Sequence, residues 1–260
     1  MNEITSNYMR YSEDEVYNIM HRIEIDIIEQ CNYRCKACSR SCGNAPSAER
    51  MTIEQIEVFV NDSIRLNWQW NSIMIIGGEP TMHPNLLEII KVIKKYKDFN
   101  RACIIRLMTN GSDVAKKVLP VIPSWVVIQN NAKTKLTKYQ GHYMPFCVAP
   151  ADIGEWDQYN LVKCNRPCMC GMGLTKDGFF LCHLSGGIHR VFGLEKGIEK
   201  LDDVTFESLN KLLPLSCKYC GFYFEAGERY KKYDINIITK SWEEAYKNYN
   251  NIVKIKKISE

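Results

Sequence analysis

The sequence predicts an α/β protein built on a partial (β/α) barrel, followed by a small cysteine-rich region made of a β-hairpin and helix. Apolar, strand-like segments alternate with amphipathic helical segments up to about residue 130. Short motifs follow three of these strands, at the end where the active sites of such barrels lie. After about residue 155 the alternation stops, and six of the twelve cysteines lie in this later part of the chain.

The alternating segment contains four predicted strands, at residues 23–28, 72–76, 103–108 and 125–129, and a fifth is expected to begin at 146–148. The helices between them are indicated by three N-terminal signals. Thr52 and Gln55 form a capping box, Asn85 is a potential N-cap, and Ser112 precedes a short helix. Strands and helices in this order predict right-handed crossovers and a parallel sheet.

Side chains of the first strand alternate between two predicted faces. Ile23, Ile25 and Ile27 would pack on the surrounding helices, which turns Glu24 and Asp26 towards the barrel interior. Arg106 of the third strand is predicted to face inward in the same way. If the first strand is instead the edge of the sheet, its two carboxylates meet water, and the sequence favours neither arrangement for them.

Composition and charge argue against a nucleic-acid-binding, exported or membrane protein. The chain of 260 residues is 45% hydrophobic, and its net charge of +4 comes from 34 basic and 30 acidic residues. This small, scattered excess does not indicate a nucleic-acid partner. No signal peptide and no run of about 18 apolar residues is seen, which argues against export and membrane insertion. We therefore expect a cytoplasmic protein whose reduced cysteines serve metal or redox chemistry.

Three cysteines, Cys31, Cys35 and Cys38, lie on one short segment directly after the first strand. Three thiolates can bind three irons of a four-iron cubane, and the fourth iron then keeps an open coordination position. Structural zinc is the alternative, but it prefers four ligands and would need Cys42 as the fourth. Zinc also leaves unexplained the Gly-Gly-Glu-Pro motif at residues 77–80, which follows the second strand.

These motifs, together with Thr-Asn-Gly at residues 109–111 after the third strand, resemble those of the radical S-adenosylmethionine (SAM) superfamily in order and spacing. The resemblance implies that Cys31, Cys35 and Cys38 hold a [4Fe–4S] cluster whose open iron binds SAM. Cleavage of SAM would yield a 5′-deoxyadenosyl radical that abstracts hydrogen from a substrate.

The resemblance also implies which residues bind SAM and what else the reaction needs. The expected SAM-binding residues are Gly77, Gly78, Glu79, Pro80 and Asn110. The residue before the third cysteine, often aromatic in this family, is Ala37 here. An electron donor such as flavodoxin or ferredoxin is implied as a partner.

A second group of cysteines lies around a predicted hairpin, with its turn at residues 176–178, and before a final helix expected from Ser241. This region resembles the twitch or SPASM-like domains of many radical SAM enzymes, which implies an auxiliary [4Fe–4S] cluster. The implied ligands are Cys182, Cys217 and Cys220, together with Cys164 or Cys170. A zinc ribbon is the alternative, since cysteine pairs on turns also suit tetrahedral zinc.

The chain is expected to divide into four parts. These are an N-terminal extension at 1–22, the barrel core at 23–155, the auxiliary-cluster region at 156–225, and a C-terminal helix and tail at 226–260. The extension is too short for a leader-peptide recognition domain, which disfavours a peptide substrate.

The resemblance implies a radical SAM oxidoreductase or epimerase that acts on a small polar molecule such as a sugar or aminocyclitol. Arg106 and Asp26 are the candidate catalytic residues, with Glu24 beside them. An epimerase would also need a hydrogen-donating thiol, for which Cys147 is the candidate. Maturation of a ribosomally made peptide is the alternative activity, and a non-enzymatic iron–sulfur or zinc scaffold is the third hypothesis.

Overall fold

The computed structural model describes residues 11–35, 38–131, 146–157, 164–227, 233 and 237–259. Within these residues, six strands form one sheet in the order β4-β3-β2-β1-β5-β6. The strands are Arg22–Ile28 (β1), Ser72–Gly77 (β2), Ile104–Thr109 (β3), Val127–Asn130 (β4), Met172–Thr175 (β5) and Gly178–Phe180 (β6). All neighbouring strands are parallel except β6, which runs antiparallel to β5. The fold is the partial β/α barrel predicted from the sequence.

Helices connect and cover these strands. The α-helices are Glu13–Met20 (α1), Ile53–Arg65 (α2), Leu86–Phe99 (α3), Asp113–Val118 (α4), Arg166–Cys170 (α5), Ser185–Phe192 (α6), Phe206–Cys217 (α7) and Lys240–Ser259 (α8). Thr52 and Gln55 form the predicted capping box, and Ser112 caps α4. Asn85 occupies the N-cap position of α3 but makes no side-chain cap hydrogen bond, and its backbone N–H donates to His83 Nδ1 at 3.1 Å.

The outer face of the sheet forms the main hydrophobic core. Ile23, Ile25 and Ile27 of β1 are essentially inaccessible and pack in one cluster with apolar residues of α2 and α3. Since β1 lies between β2 and β5, the hypothesis that it forms a sheet edge is wrong. Glu24 and Asp26 therefore lie on the inner face, as the barrel arrangement predicted.

The predicted fifth strand at 146–148 is not formed. Phe146 packs instead against Trp242 and Phe222, with ring centroids 5.3 and 5.8 Å apart. A short apolar run can satisfy its burial through such contacts as well as through strand pairing. The fifth strand of the sheet is β5, the first strand of the predicted hairpin, and it pairs with β1.

Among the described residues, no helix combines the length and the apolar composition needed to cross a bilayer.

Candidate functional site

The Gly-Gly-Glu-Pro motif fixes the end of β2 against the segment that leads into the first cysteines. Gly78 N–H donates to Ile28 O at 2.7 Å, and Glu79 N–H donates to Gln30 O at 2.9 Å. A Cβ atom on Gly77, whose φ is +137°, would lie 2.3 Å from Ile28 O, and one on Gly78 would lie 2.1 Å from Gln30 O. Only glycine permits this approach, so the motif positions the cysteine segment through its backbone.

The Glu79 side chain joins the motifs that follow β2 and β3. Its carboxylate is fully buried. One oxygen accepts hydrogen bonds from the Thr81 N–H and hydroxyl and from the Thr109 hydroxyl, at 3.1, 2.6 and 2.8 Å. The other accepts from Asn110 N–H at 2.7 Å. The structure therefore shows Glu79 positioning its neighbours, and its contact with SAM stays a prediction, as does that of Pro80, which begins the following turn.

Asn110 links the third motif to the cysteine segment. Its side-chain N–H donates to Asn32 Oδ1 at 2.8 Å and approaches Cys31 Sγ at 3.8 Å. Its Oδ1 accepts from Ser112 N–H at 2.9 Å, which fixes the amide orientation. The sequence analysis missed Asn32, although its position directly after Cys31 placed it in the right segment.

Cys31, Cys35 and Cys38 line one cavity of about 430 Å³ at the carboxyl ends of the parallel strands. Gly77, Gly78 and Asn110 line the same cavity. Burial, together with the neighbouring Cys38 and Cys35 thiols, raises the pKa of Cys31 to about 11. Bound iron would stabilise the ionised form of these thiols, because metal ligation requires thiolates. Ala37 lies outside the described residues.

Cys42 lies behind this group of thiols. It is buried, and its thiol donates to Arg40 O at 3.6 Å. A hydrogen bond with Cys38 raises its pKa, as does burial. Cys42 does not line the 430 Å³ cavity but a smaller neighbouring one.

Arg40, which the sequence analysis missed, pairs with both inward carboxylates of β1. Its Nη2 donates to Glu24 Oε2, and its Nε donates to Asp26 Oδ1 at 3.3 Å. Burial raises the pKa of Asp26 to about 6, and Arg40 only partly offsets that. Burial acts in the same sense on Glu24, but His183 and Arg40 together lower the pKa of that carboxyl below its ordinary value. Glu24 therefore carries a negative charge where it lines the cavity.

Two candidate catalytic residues lie away from the cavity lining. Arg106 is half-buried and donates to Ser72 Oγ at 2.9 Å, near the start of β2. Cys147 is buried, and its thiol lies 3.3 Å from the Tyr246 hydroxyl. The cysteine that does line the cavity from the later part of the chain is Cys170. Asp26 contacts the cavity wall only through Arg40.

The late cysteines separate into two sets. The thiols of Cys164, Cys182, Cys217 and Cys220 lie near enough to raise one another's pKa, in addition to the effect of burial. Cys170 also raises the pKa of Cys182, but less than Cys164 and Cys220 do. It lies beside Glu24, and that carboxylate adds to burial in raising the Cys170 pKa to about 12. The geometry therefore favours Cys164 over Cys170 as the fourth member of the set.

Distant segments bring these four thiols together. Cys182 follows β6, Cys217 ends α7, and Cys220 N–H donates to Cys217 O at 3.1 Å in the next turn. Tyr11, just before α1, donates its hydroxyl hydrogen to Cys164 O at 3.1 Å.

The spacing of the four thiols differs from that of a zinc site. Sulfurs in a tetrahedral zinc site lie roughly 3.8 Å apart, given a Zn–S distance of about 2.3 Å. Within the part of the chain that the structure describes, no three cysteine sulfurs lie within 4.8 Å of one another. This geometry favours a larger group such as an iron–sulfur cluster over zinc.

Comparison with known families matches residues 25–125 to the model of the Radical SAM superfamily. The chain contains a radical SAM domain. This segment holds the three first cysteines, the Gly-Gly-Glu-Pro motif and Asn110. The cofactors of this family, a [4Fe–4S] cluster and SAM, fit the cavity, which offers three thiols from one segment beside a wall of bare glycine backbone.

Curated relatives include three GTP 3′,8-cyclases. The chain is 32% identical over 99 residues to the probable enzyme of Thermococcus kodakarensis, covering 38% of this chain and 30% of the relative. It is 37% identical over 89 residues to that of Methanococcus aeolicus, covering 34% and 29%. It is 29% identical over 166 residues to the mitochondrial enzyme of Arabidopsis thaliana, covering 60% and 40%. The matching region thus spans less than half the length of each relative.

Among solved structures, the chain is similar to BtrN in complex with AdoMet and 2-DOIA. The TM-score is 0.40 at 15% identity, over 64% of this chain and 74% of that one.

Proposed function

We propose that Cys31, Cys35 and Cys38 ligate the SAM-cleaving [4Fe–4S] cluster of a radical SAM enzyme. The observation that carries this proposal is that all three thiols line one cavity with Gly77 and Gly78. When bound, the cluster and SAM supply a 5′-deoxyadenosyl radical that takes a hydrogen atom from the substrate.

The protein's own residues align the reactants in this cavity. Backbone oxygens of the Gly77–Gly78 wall would accept hydrogen bonds from the ammonium group of SAM. Asn110, held by Asn32, would orient the Cys31 side of the cluster. Glu79 connects the ends of β2 and β3, since its buried carboxylate accepts hydrogen bonds from Thr81 after β2 and from Thr109 and Asn110 at the end of β3.

The substrate is proposed to be a small polar molecule, such as a sugar or aminocyclitol, that is oxidised or epimerised. The cavity wall opposite the glycines carries Glu24, Arg40, Arg166 and His183. The two arginines are positively charged hydrogen-bond donors, and Glu24 is a negatively charged acceptor. Such a combination suits the hydroxyl and amino substituents of a substrate. Peptide maturation is the competing activity. The charged and polar groups that line the cavity favour the smaller substrate.

The similarity to GTP 3′,8-cyclases supports the radical-generating step that these proteins share. The first two aligned segments cover 99 and 89 residues, which is about a third of this chain. These segments support the radical-generating step and specify no substrate.

A second [4Fe–4S] cluster is proposed on Cys164, Cys182, Cys217 and Cys220. Their mutual proximity supports this ligand set. Full cysteine ligation would suit an electron relay, because no iron would be left for a substrate to bind. An external reductant such as flavodoxin or ferredoxin would supply the electron that starts each cycle.

The test is anaerobic reconstitution followed by reduction with dithionite in the presence of SAM. Formation of 5′-deoxyadenosine is expected from the wild type and absent from Cys35→Ala. Cys103→Ala is the matched control, because Cys103 is buried in the outer core away from the cavity, and it should cleave SAM like the wild type. Equal cleavage by Cys35→Ala and the wild type would refute the ligand set.

A further inference from the structure

Glu24, Cys170 and His183 form a compact group of three different donor side chains. One ligand atom from each lies within 4.8 Å of the other two. No other three acidic, cysteine or histidine residues in the described ranges approach one another this closely. All three residues line the cavity that holds Cys31, Cys35 and Cys38.

Two glycines of the hairpin segment allow this group to form. Gly173 pairs with Glu24 across the β1–β5 register, and a Cβ atom on it would lie 2.9 Å from His183 Cα. Gly171 has a φ of +85°, and a Cβ on it would lie 2.2 Å from Arg22 O. The missing side chains let both His183 and Cys170 approach β1.

We propose that Glu24, Cys170 and His183 bind a divalent transition-metal ion of the zinc type. Thiolate, imidazole and carboxylate are the ligand types that zinc takes in proteins. Ionised Cys170 and Glu24 bring two negative charges to the ion, and the neighbouring cations Arg40 and Arg166 offset part of that charge. Glu24 and His183 are both buried, so an ion bound between them is shielded from bulk water.

The groups around this site support metal binding. Arg40 bonds to Glu24 Oε2, which orients the carboxylate. The Cys170 thiol also hydrogen-bonds to Glu24, and its proton would leave when an ion binds between them. Ligating carboxylates are commonly held by such an outer partner. His183 Nδ1 lies 3.9 Å from Cys182 Sγ, a long and weak contact that leaves the other ring nitrogen for the ion.

Three protein ligands leave the fourth position of a tetrahedral ion open, as in catalytic zinc sites. That position would face the cavity and take an oxygen or nitrogen of the substrate. This use of the ion rests on the proposed function. The ion would fix a heteroatom of the substrate opposite the Gly77–Gly78 wall, so that a neighbouring C–H bond lies towards SAM.

The experiment uses the full chain, reconstituted anaerobically with iron and sulfide, then exposed to one equivalent of Zn²⁺ and desalted. Metal analysis should find one zinc per chain. Zinc K-edge X-ray absorption should show one sulfur near roughly 2.3 Å and nitrogen or oxygen ligands near roughly 2.0–2.1 Å. This edge is read separately from iron, so the clusters do not obscure it.

Cys170→Ala and His183→Gln should each weaken zinc binding by at least roughly tenfold, since each removes one ligand. Cys168→Ala is the matched control, because Cys168 lies on the same helix but outside the group of three, and it should keep its zinc. Iron content equal to that of the wild type shows that each variant has folded and assembled its clusters.

Three results would overturn the proposal. The first is that the wild type binds no zinc, and the second is that zinc binding is unchanged in both Cys170→Ala and His183→Gln. The third is an all-sulfur shell, which would locate the zinc among the other cysteines. SAM cleavage by the same wild-type sample reports separately on the proposed function. Cleavage without zinc refutes only the metal site, and zinc without cleavage refutes only the radical reaction.

Discussion

The two cysteine sites differ in how the chain supplies their thiols. The first takes all three from residues 31–38, directly after β1. The second brings together Cys164, Cys182, Cys217 and Cys220 from separate elements of the fold. A site on one segment leaves its signature in the spacing of the sequence, whereas a site assembled by packing leaves only a list of candidates.

The two cysteine sites also differ in the solvent exposure of their thiols. The first three thiols are half-buried and line the cavity. In the second set Cys182 and Cys220 are buried, while Cys164 and Cys217 are half-buried like the first three. The first site is thus open to a small molecule, as the proposed binding of SAM requires, while half of the second is enclosed by protein. Different consequences are expected when each is disrupted.

The largest expected difference concerns SAM cleavage. Cys35→Ala should lower 5′-deoxyadenosine formation by on the order of 100-fold or more, because a cluster left with two thiolate ligands is not retained. Cys182→Ala should lower it by less than roughly tenfold, because the proposed auxiliary cluster, ligated by four cysteines, would not bind SAM. Dithionite-driven cleavage by both variants is the measurement. Equal losses would show that the two sites are not functionally distinct.

The backbone clamp on the first site provides the next test. Gly78→Ala should cost roughly 3 kcal/mol or more in unfolding free energy, since its Cβ would meet a backbone oxygen that cannot move aside. Gly193→Ala is the control, because Gly193 has a φ of +62° but nothing within 4 Å of an added Cβ. It should cost only about 1 kcal/mol. Thermal unfolding of the two variants measures the difference, and a similar loss in both would argue against the clamp.

Iron content tests which cysteines form the second site. Cys164→Ala should retain about four irons, and Cys170→Ala about eight, if both sites are cubanes and Cys164 is the fourth ligand. Iron analysis after anaerobic reconstitution and desalting decides between them. The opposite result would exchange the two residues and would remove Cys170 from the proposed zinc site.

The smallest of these effects is expected at Asp26, and it concerns the pH dependence of stability and not SAM cleavage. Its pKa is raised from 3.8 to about 6 in the folded protein, so the folded state holds the proton more tightly than the unfolded state. Its contribution to stability is therefore present below about pH 4 and is lost as pH rises through 6.

Asp26→Asn removes this loss, because asparagine stays neutral. The variant should gain on the order of 1–3 kcal/mol over the wild type between pH 4 and pH 8. Denaturant unfolding across this range is the measurement. A constant difference between the two proteins would show that the Asp26 pKa is not raised.

The sequence predicted the part of the structure that local patterns determine. The alternation of β1 predicted which of its side chains face the core, and the capping box at Thr52 predicted the start of α2. The spacing of the first cysteines and the glycines after β2 predicted a shared site, and both line one cavity. Each of these signals lies within a few residues of the feature it predicts.

Long-range packing determines what the sequence did not show. Arg40 pairs with Glu24 and Asp26, which precede it by a whole loop. Cys170 and His183 reach the cavity because β5 pairs with β1, a contact between segments about 150 residues apart. Cys147, the predicted hydrogen-donating thiol, lies in the predicted strand at 146–148, which does not form. No local pattern carries such information.

The pairing of β5 with β1 has a consequence for how such proteins can diversify. A C-terminal domain joined to the rest of a protein only by a linker could be exchanged by recombination as a separate unit. Here the later part of the chain supplies one flank of the strand that leads into the first cysteines. Deleting it would leave amide and carbonyl groups of that strand without partners, so any recombination that replaced this end would have to bring a matching β-strand with it.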